Sequence, residues 1–127
     1  MLCKLIQKNQ IAPNIYDFFV ECPTDVSALP GQFLHIKCGG TSYLRRPISI
    51  CDAQGNQLRF IFEVRGEGTK ELSNVKVGET IDILGPLGRG FDLDLAKTNG
   101  EILLIGGGIG TFPLLLLAKS LAANGNK

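Results

Sequence analysis

Six apolar runs, none longer than eight residues, succeed one another between Lys4 and Leu84, and each is followed by residues that turn a chain rather than extend it. The runs are Lys4 to Ile11, Ile15 to Cys22, Gln32 to Cys38, Arg46 to Cys51, Leu58 to Val64 and Thr80 to Leu84, and most alternate apolar with polar residues. Between them stand Ala12-Pro13-Asn14, Leu29-Pro30-Gly31, Cys38-Gly39-Gly40, Asp52 to Asn56 and Val77-Gly78-Glu79, whose chemistry favours hairpins and Greek-key connections. The pattern predicts a mainly β fold, a six-stranded antiparallel Greek-key barrel, because closure removes exposed strand edges. Thr69 to Leu72, after a glycine-rich turn, predicts one short helix with its first amides facing that turn.

After Gly85-Pro86-Leu87-Gly88-Arg89-Gly90-Phe91 the pattern changes. Ile102 to Ile105 reads as a buried strand, the glycines Gly106 to Gly110 as a turn, and Phe112 to about Ala123 as a helix, which together make one βα unit. One strand and one helix cannot complete a parallel sheet. The expected organisation is therefore a barrel domain over residues 1–98, then the start of an incomplete, truncated α/β nucleotide-binding domain over residues 99–127. An unpartnered apolar strand and the Leu114 to Leu117 face would seek cover, so dimerisation through this end is expected. Residues 102–118 carry no charge, but four glycines and Pro113 interrupt a stretch already short for a spanning helix.

Charge excludes further classes. With 13 Lys and Arg against 12 Asp and Glu, a net charge of +1 offers no field for nucleic acid or an anionic membrane. The N-terminus lacks the pattern of a secretory signal, which predicts a cytoplasmic protein. Cys3, Cys22, Cys38 and Cys51 lie at least 13 residues apart, without metal-site spacing, and read as small apolar residues in a reducing compartment. His35, alternating with apolar neighbours, reads as structural.

Three short motifs carry chemistry. Arg46-Pro47-Ile48-Ser49 places a guanidinium and a hydroxyl at one strand end, with Arg45 the alternative cation if the strand faces the other way. Gly66-Glu67-Gly68-Thr69 offers free backbone N–H groups at a helix start, and Gly106-Gly107-Gly108-Ile109-Gly110 is a second phosphate-type turn. The first pair suits the diphosphate and ring of a flavin dinucleotide, the last a nicotinamide dinucleotide. Two such sites in one chain point to electron transfer between them.

In this order, with Leu29-Pro30-Gly31-Gln32-Phe33 ahead of them and Gly85-Pro86-Leu87-Gly88 between, the motifs resemble the ferredoxin–NADP reductase superfamily. Within it the chain looks most like the electron-transfer subunits of type B dihydroorotate dehydrogenase. The resemblance implies an FAD-binding barrel in which Arg46 holds the diphosphate, Pro47 and Ile48 line the site, and Ser49 lies near flavin N5. It implies further FAD contacts from Ile61, Phe62 and Glu63, largely through backbone, and from Gly68 and Thr69. Gly106, Gly107, Gly108 and Gly110 match its NAD-binding turn. Where many members carry Tyr to stack on the flavin, this chain has Ile48.

The resemblance further implies a [2Fe–2S] cluster held elsewhere in the full-length protein. Its implied partner is an FMN-containing catalytic subunit that oxidises dihydroorotate, in a heterotetramer serving pyrimidine biosynthesis. This chain alone is expected to be inactive on dihydroorotate, and no catalytic residue or metal ligand is named. Other readings are a different NAD(P)H-dependent flavin reductase, a transhydrogenase or sulfhydrogenase subunit of the same superfamily, or a barrel that serves only in assembly.

Overall fold

Alternation along the six runs places one face of each strand inward, and the barrel follows. The computed structural model describes residues 1–40, 43–94 and 101–125. Its strands are β1 (Leu2–Ala12), β2 (Ile15–Glu21), β3 (Phe33–Ile36), β4 (Arg46–Gln54), β5 (Gln57–Glu63) and β6 (Thr80–Leu87). They close in the order β1-β2-β5-β4-β3-β6, all paired antiparallel, so β2 neighbours β5 and β3 neighbours β6 as a Greek key requires. Phe18, Phe60, Leu5, Leu34, Ile36, Ile50, Leu58 and Ile83 fill the interior. Phe18 meets Phe62 edge-on at 5.1 Å and tilts against Phe60 at 5.7 Å.

Two motifs clamp the seam where β3 meets β6. The Gln32 side chain accepts from the Leu29 N–H at 2.8 Å and donates to the Gly88 carbonyl at 2.9 Å, while the Phe91 N–H donates to Pro30 at 2.8 Å. Gly88 takes φ +85°, and a Cβ there would meet the Phe33 ring at 2.8 Å. The turn before β3 and the loop after β6 thus hold each other.

Between β5 and β6, α1 (Glu67–Asn74) lies across the barrel and sinks Leu72 into the core. Lys8 of β1 fixes its far end, donating to the carbonyls of Ser73 at 2.5 Å and Val75 at 3.0 Å, where the helix is electronegative. The same ammonium stands 5.5 Å from the Tyr16 ring centroid and 5.8 Å from that of Phe18.

The C-terminal segment departs from expectation. Residues 101–107 form no strand, and Leu103 and Ile105 are each 82% exposed. An extended run becomes a strand only when another strand takes its N–H and C=O groups, and none lies beside this one among the described residues. A 3₁₀ turn (Gly108–Thr111) follows, then α2 (Leu114–Ala123), which starts two residues later than predicted. Buried Leu116, Leu117 and Leu121, with a Lys119–Asp52 ion pair, dock α2 on the outside of β4. The boundary expected at residues 98 and 99 lies outside the described residues. Among the described residues no helix is long and apolar enough to cross a membrane.

All four thiols are buried and free. Cys3 and Cys22 sit side by side at the ends of β1 and β2 with sulfurs 2.8 Å apart, and burial, reinforced by that contact, pushes the Cys3 pKa from 9.0 up to about 12. Burial also raises Cys22, Cys38 and Cys51. At pH 8 a thiol reagent is expected to leave the native protein unlabelled and to modify all four cysteines after denaturation; rapid native labelling would contradict this packing. Because folding raises these pKa values, the contribution is complete below the unfolded thiol pKa and declines as pH rises above it.

Candidate functional site

A bulge sets the site. β4 and β5 pair from Gln54–Gln57 to Ile50–Phe60, with a register shift between Ile50 and Asp52 that leaves Cys51 extra. Bulges bend a strand and end its pairing, and beyond this one β4 turns to β3, matching Ser49 with Phe33 and Ile48 with Leu34. β5 stays with β2 as far as Glu63. The two strands separate, and a cleft of about 250 Å³ opens between them.

Its walls come from four places. β4 supplies Pro47, Ile48 and Ser49; β5 supplies Ile61 and Glu63; Arg65 and Thr69 flank the start of α1; and Ile109, Gly110, Phe112 and Pro113 close the outer side. Pro47 and Ser49 are exposed on the outer face, whereas Ile48 is 8% exposed and floors the cleft. Of the Ile61-Phe62-Glu63 triplet, Ile61 and Glu63 project into the cleft and Phe62, 3% exposed, points into the barrel. Phe62 can meet a ligand only through its backbone.

The two neighbouring arginines divide their work. Arg45 donates to the Asp82 carboxylate at 2.6 Å, the Asp82 carbonyl at 3.0 Å and the His35 carbonyl at 3.3 Å, and this guanidinium holds the Asp82 carboxyl below its usual pKa. Arg45 is thereby committed to tying β4 to β6. Arg46, at the head of β4, is not among the residues that line the cleft and reaches the Leu44 carbonyl at 3.5 Å. It is the cation of the pair that stands next to Pro47 and Ser49.

At the other end Thr69 organises the turn. Its hydroxyl accepts from the N–H groups of Arg65 at 2.9 Å and Gly66 at 3.2 Å and donates to the Gly66 carbonyl at 3.1 Å. A hydroxyl has one proton and two lone pairs, so these bonds occupy it. What the turn offers an anion is the N–H groups of the first turn, Gly68 and Thr69 included, which have no intrahelical acceptor. Gly68 itself is buried.

The glycine turn behaves in two ways. A Cβ on Gly106 would meet Thr111 and Leu114 at 2.9 Å, so helix packing demands glycine there, and Gly108 takes φ +54°. At Gly107 and Gly110 a Cβ would find no atom within 4 Å. Packing within the chain does not account for glycine at these two, and Gly110 borders the cleft. Gly106 instead lines a neighbouring apolar cavity of about 550 Å³ with Cys51, Arg59, Leu104 and Phe112.

Arg65, Ile109, Phe112 and Pro113 were not expected in the cleft. Arg65 continues the outward alternation of Ile61 and Glu63, a signal the sequence carried; the other three reach it only because α2 docks on β4.

Residues 2–91 match the family described as oxidoreductase FAD-binding domain. The chain belongs to that family. Within the FAD-binding oxidoreductases it is similar to the dihydroorotate dehydrogenase B (NAD(+)) electron transfer subunit of Listeria monocytogenes serotype 4a (strain HCC23), 45% identical over 96% of this chain and 49% of the relative. The same subunit from Bacillus cereus (strain B4264) is 44% identical over 95% of this chain and 49% of the relative. The chain thus spans about half the length of the curated relatives it matches. A solved NADH-dependent reduced ferredoxin-NADP oxidoreductase superposes with a TM-score of 0.88 and 34% identity, over all of this chain and 46% of that one.

The donor set suits a flavin dinucleotide: apolar Ile48, Ile61 and Phe112 for a ring, the Ser49 hydroxyl for its polar edge, and guanidinium and helix amides for a diphosphate. Because Thr69 stands at the third helical position and its hydroxyl caps the N–H of the N-cap residue Gly66, Thr69→Val is expected to cost about 1 kcal/mol in chemical denaturation and Thr69→Ser to restore most of it. Equal stability of all three proteins would refute the cap.

Proposed function

We propose that this chain is the FAD-binding part of an electron-transfer subunit of the dihydroorotate dehydrogenase B type, and that the cleft between β4, β5 and α1 holds the FAD. The observation that carries the reading is the convergence of Pro47, Ile48, Ser49, Ile61, Glu63 and Thr69 on one cleft. The 45% identity to the Listeria subunit supports it.

Arg46 and the amides of Gly68 and Thr69 would take the diphosphate, a guanidinium and a helix start both favouring a doubly negative group. Ile48 and Pro47 would exclude water from one face of the ring, and the Ser49 hydroxyl would donate to or accept from its N5 edge. Ile61, Phe62 and Glu63 would meet the FAD from the opposite strand, largely through backbone. When bound, FAD supplies the exchange between two-electron and one-electron transfer. In the full-length protein NAD would lie over Gly106, Gly107, Gly108 and Gly110, and the position of Gly110 beside the same cleft supports that order. A [2Fe–2S] cluster held by residues outside this chain would bring electrons from an FMN-containing catalytic subunit that oxidises dihydroorotate, in a cytoplasmic heterotetramer.

A second reading has its own support: the 34% identity over the whole chain to the ferredoxin-NADP oxidoreductase fits a flavin reductase or transhydrogenase subunit. Full-length protein that reduces NAD⁺ with dihydroorotate, once combined with a dihydroorotate-oxidising subunit, would support the first reading. Reduction with reduced ferredoxin alone would support the second.

Titrating the purified chain with FAD is expected to give one-to-one binding and a yellow protein. Arg46→Ala should weaken FAD by roughly ten- to a hundredfold, the worth of a charge-assisted hydrogen bond, and leave riboflavin, which has no phosphate, unchanged. A colourless wild-type protein that ignores FAD would favour a barrel serving only in assembly.

A further inference from the structure

We propose that Arg65 is a second cation for the diphosphate, held in reserve by Glu63 and transferred to the ligand when it binds. The inference rests on the flavin reading of the cleft and adds a residue to it.

Four arginines lie on or next to β4 and β5, and their partners differ. Arg45 is tied to the carboxylate and carbonyl of Asp82. Arg59 makes a two-bond fork to Asp17, both at 2.9 Å, with Asp17 only 3% exposed, and stacks over Phe19 at 4.9 Å. Neither can leave without stranding a partner, Asp17 most of all, because an unpaired buried carboxylate is costly. Arg46 stands at the head of β4. Arg65 lines the cleft beside Thr69 and pairs with Glu63 at 2.7 Å, its own side chain 76% exposed.

An ion pair this open is worth little, since water screens both charges, so moving the guanidinium to a stronger anion costs little. A diphosphate is such an anion: it carries more charge than one carboxylate and presents paired oxygens to the planar fork. The Arg65 N–H donates to Thr69 Oγ1, so the backbone of Arg65 belongs to the turn whose amides face the same ligand. Its side chain starts within reach of what those amides bind. Glu63 lines the same cleft and would repel a diphosphate once Arg65 has left it. Glu63 therefore competes with the ligand for Arg65.

The test is a set of binding titrations, read by flavin fluorescence, of FAD and riboflavin against the wild-type chain, Arg65→Gln, Arg65→Lys and Glu63→Gln. Arg65→Gln is expected to weaken FAD about five- to twentyfold, with a shallower salt dependence and riboflavin unaffected, and Arg65→Lys to recover part of the loss. Glu63→Gln is expected to tighten FAD severalfold by removing the competitor. Thermal unfolding without flavin should be the same in all four proteins. Wild type that binds FAD while Arg65→Gln binds it within twofold of wild type overturns the second cation and leaves the flavin reading intact. Weaker FAD binding by Glu63→Gln overturns the transfer. Wild type that binds no FAD overturns the flavin reading itself.

Discussion

The extra residue at Cys51 is the constraint on which the rest depends. A β4–β5 ladder that kept the Ala53–Leu58 register would bring Ser49 and Ile48 alongside Phe62 and Glu63, sealing the barrel wall. The bulge turns β4 toward β3 instead, and a fold whose purpose in most strands is to leave no edge acquires one gap. Cys51, buried, lines the apolar cavity that lies between β4 and α2. The motif at Arg46 to Ser49 lies beyond the bulge, and the glycine-threonine turn lies just past the end of β5. The two sides of the cleft are therefore two strands that stop pairing.

Charge placement follows the same division. Asp17 with Arg59 and Asp82 with Arg45 bind strand to strand; burial of Asp17 makes the first pair costly to break, and carbonyl bonds at Asp82 and His35 add to the second. Around the gap, Arg65 and Thr69 stand where the wall is open, with apolar Ile48, Ile61 and Phe112 beside them. The chain has almost no net charge, so recognition of an anion rests on this local arrangement rather than on a global field.

Much of this was legible in the residues. Alternation in runs such as Leu58 to Val64 separates inward Leu58, Phe60 and Phe62 from outward Arg59, Ile61 and Glu63, and turn chemistry marks where each strand ends. Several ends were read short: β4 runs on to Gln54, β5 begins at Gln57 and β6 reaches Leu87 because backbone pairing carries through polar residues and through Gly85-Pro86, whereas β3, expected over Gln32 to Cys38, pairs only from Phe33 to Ile36. Strand order was not legible, since pairing β2 with β5 depends on long-range packing. The apolar run Ile102 to Ile105 misled in the opposite sense: its composition suits a buried strand, but composition supplies no partner. At Thr69 the motif suggested a helix start with free amides, and the geometry spends the threonine hydroxyl on the turn.

Hydrogen exchange of the chain with and without FAD, resolved to individual amides, tests the central claim most directly. If the gap between β4 and β5 holds the dinucleotide, added FAD slows exchange at Ile48 and Ser49, at Ile61 to Glu63 and at Gly68 and Thr69, and leaves β1 and β6, which do not line it, unchanged. Protection confined to another face of the barrel, or spread evenly over all strands, would contradict it.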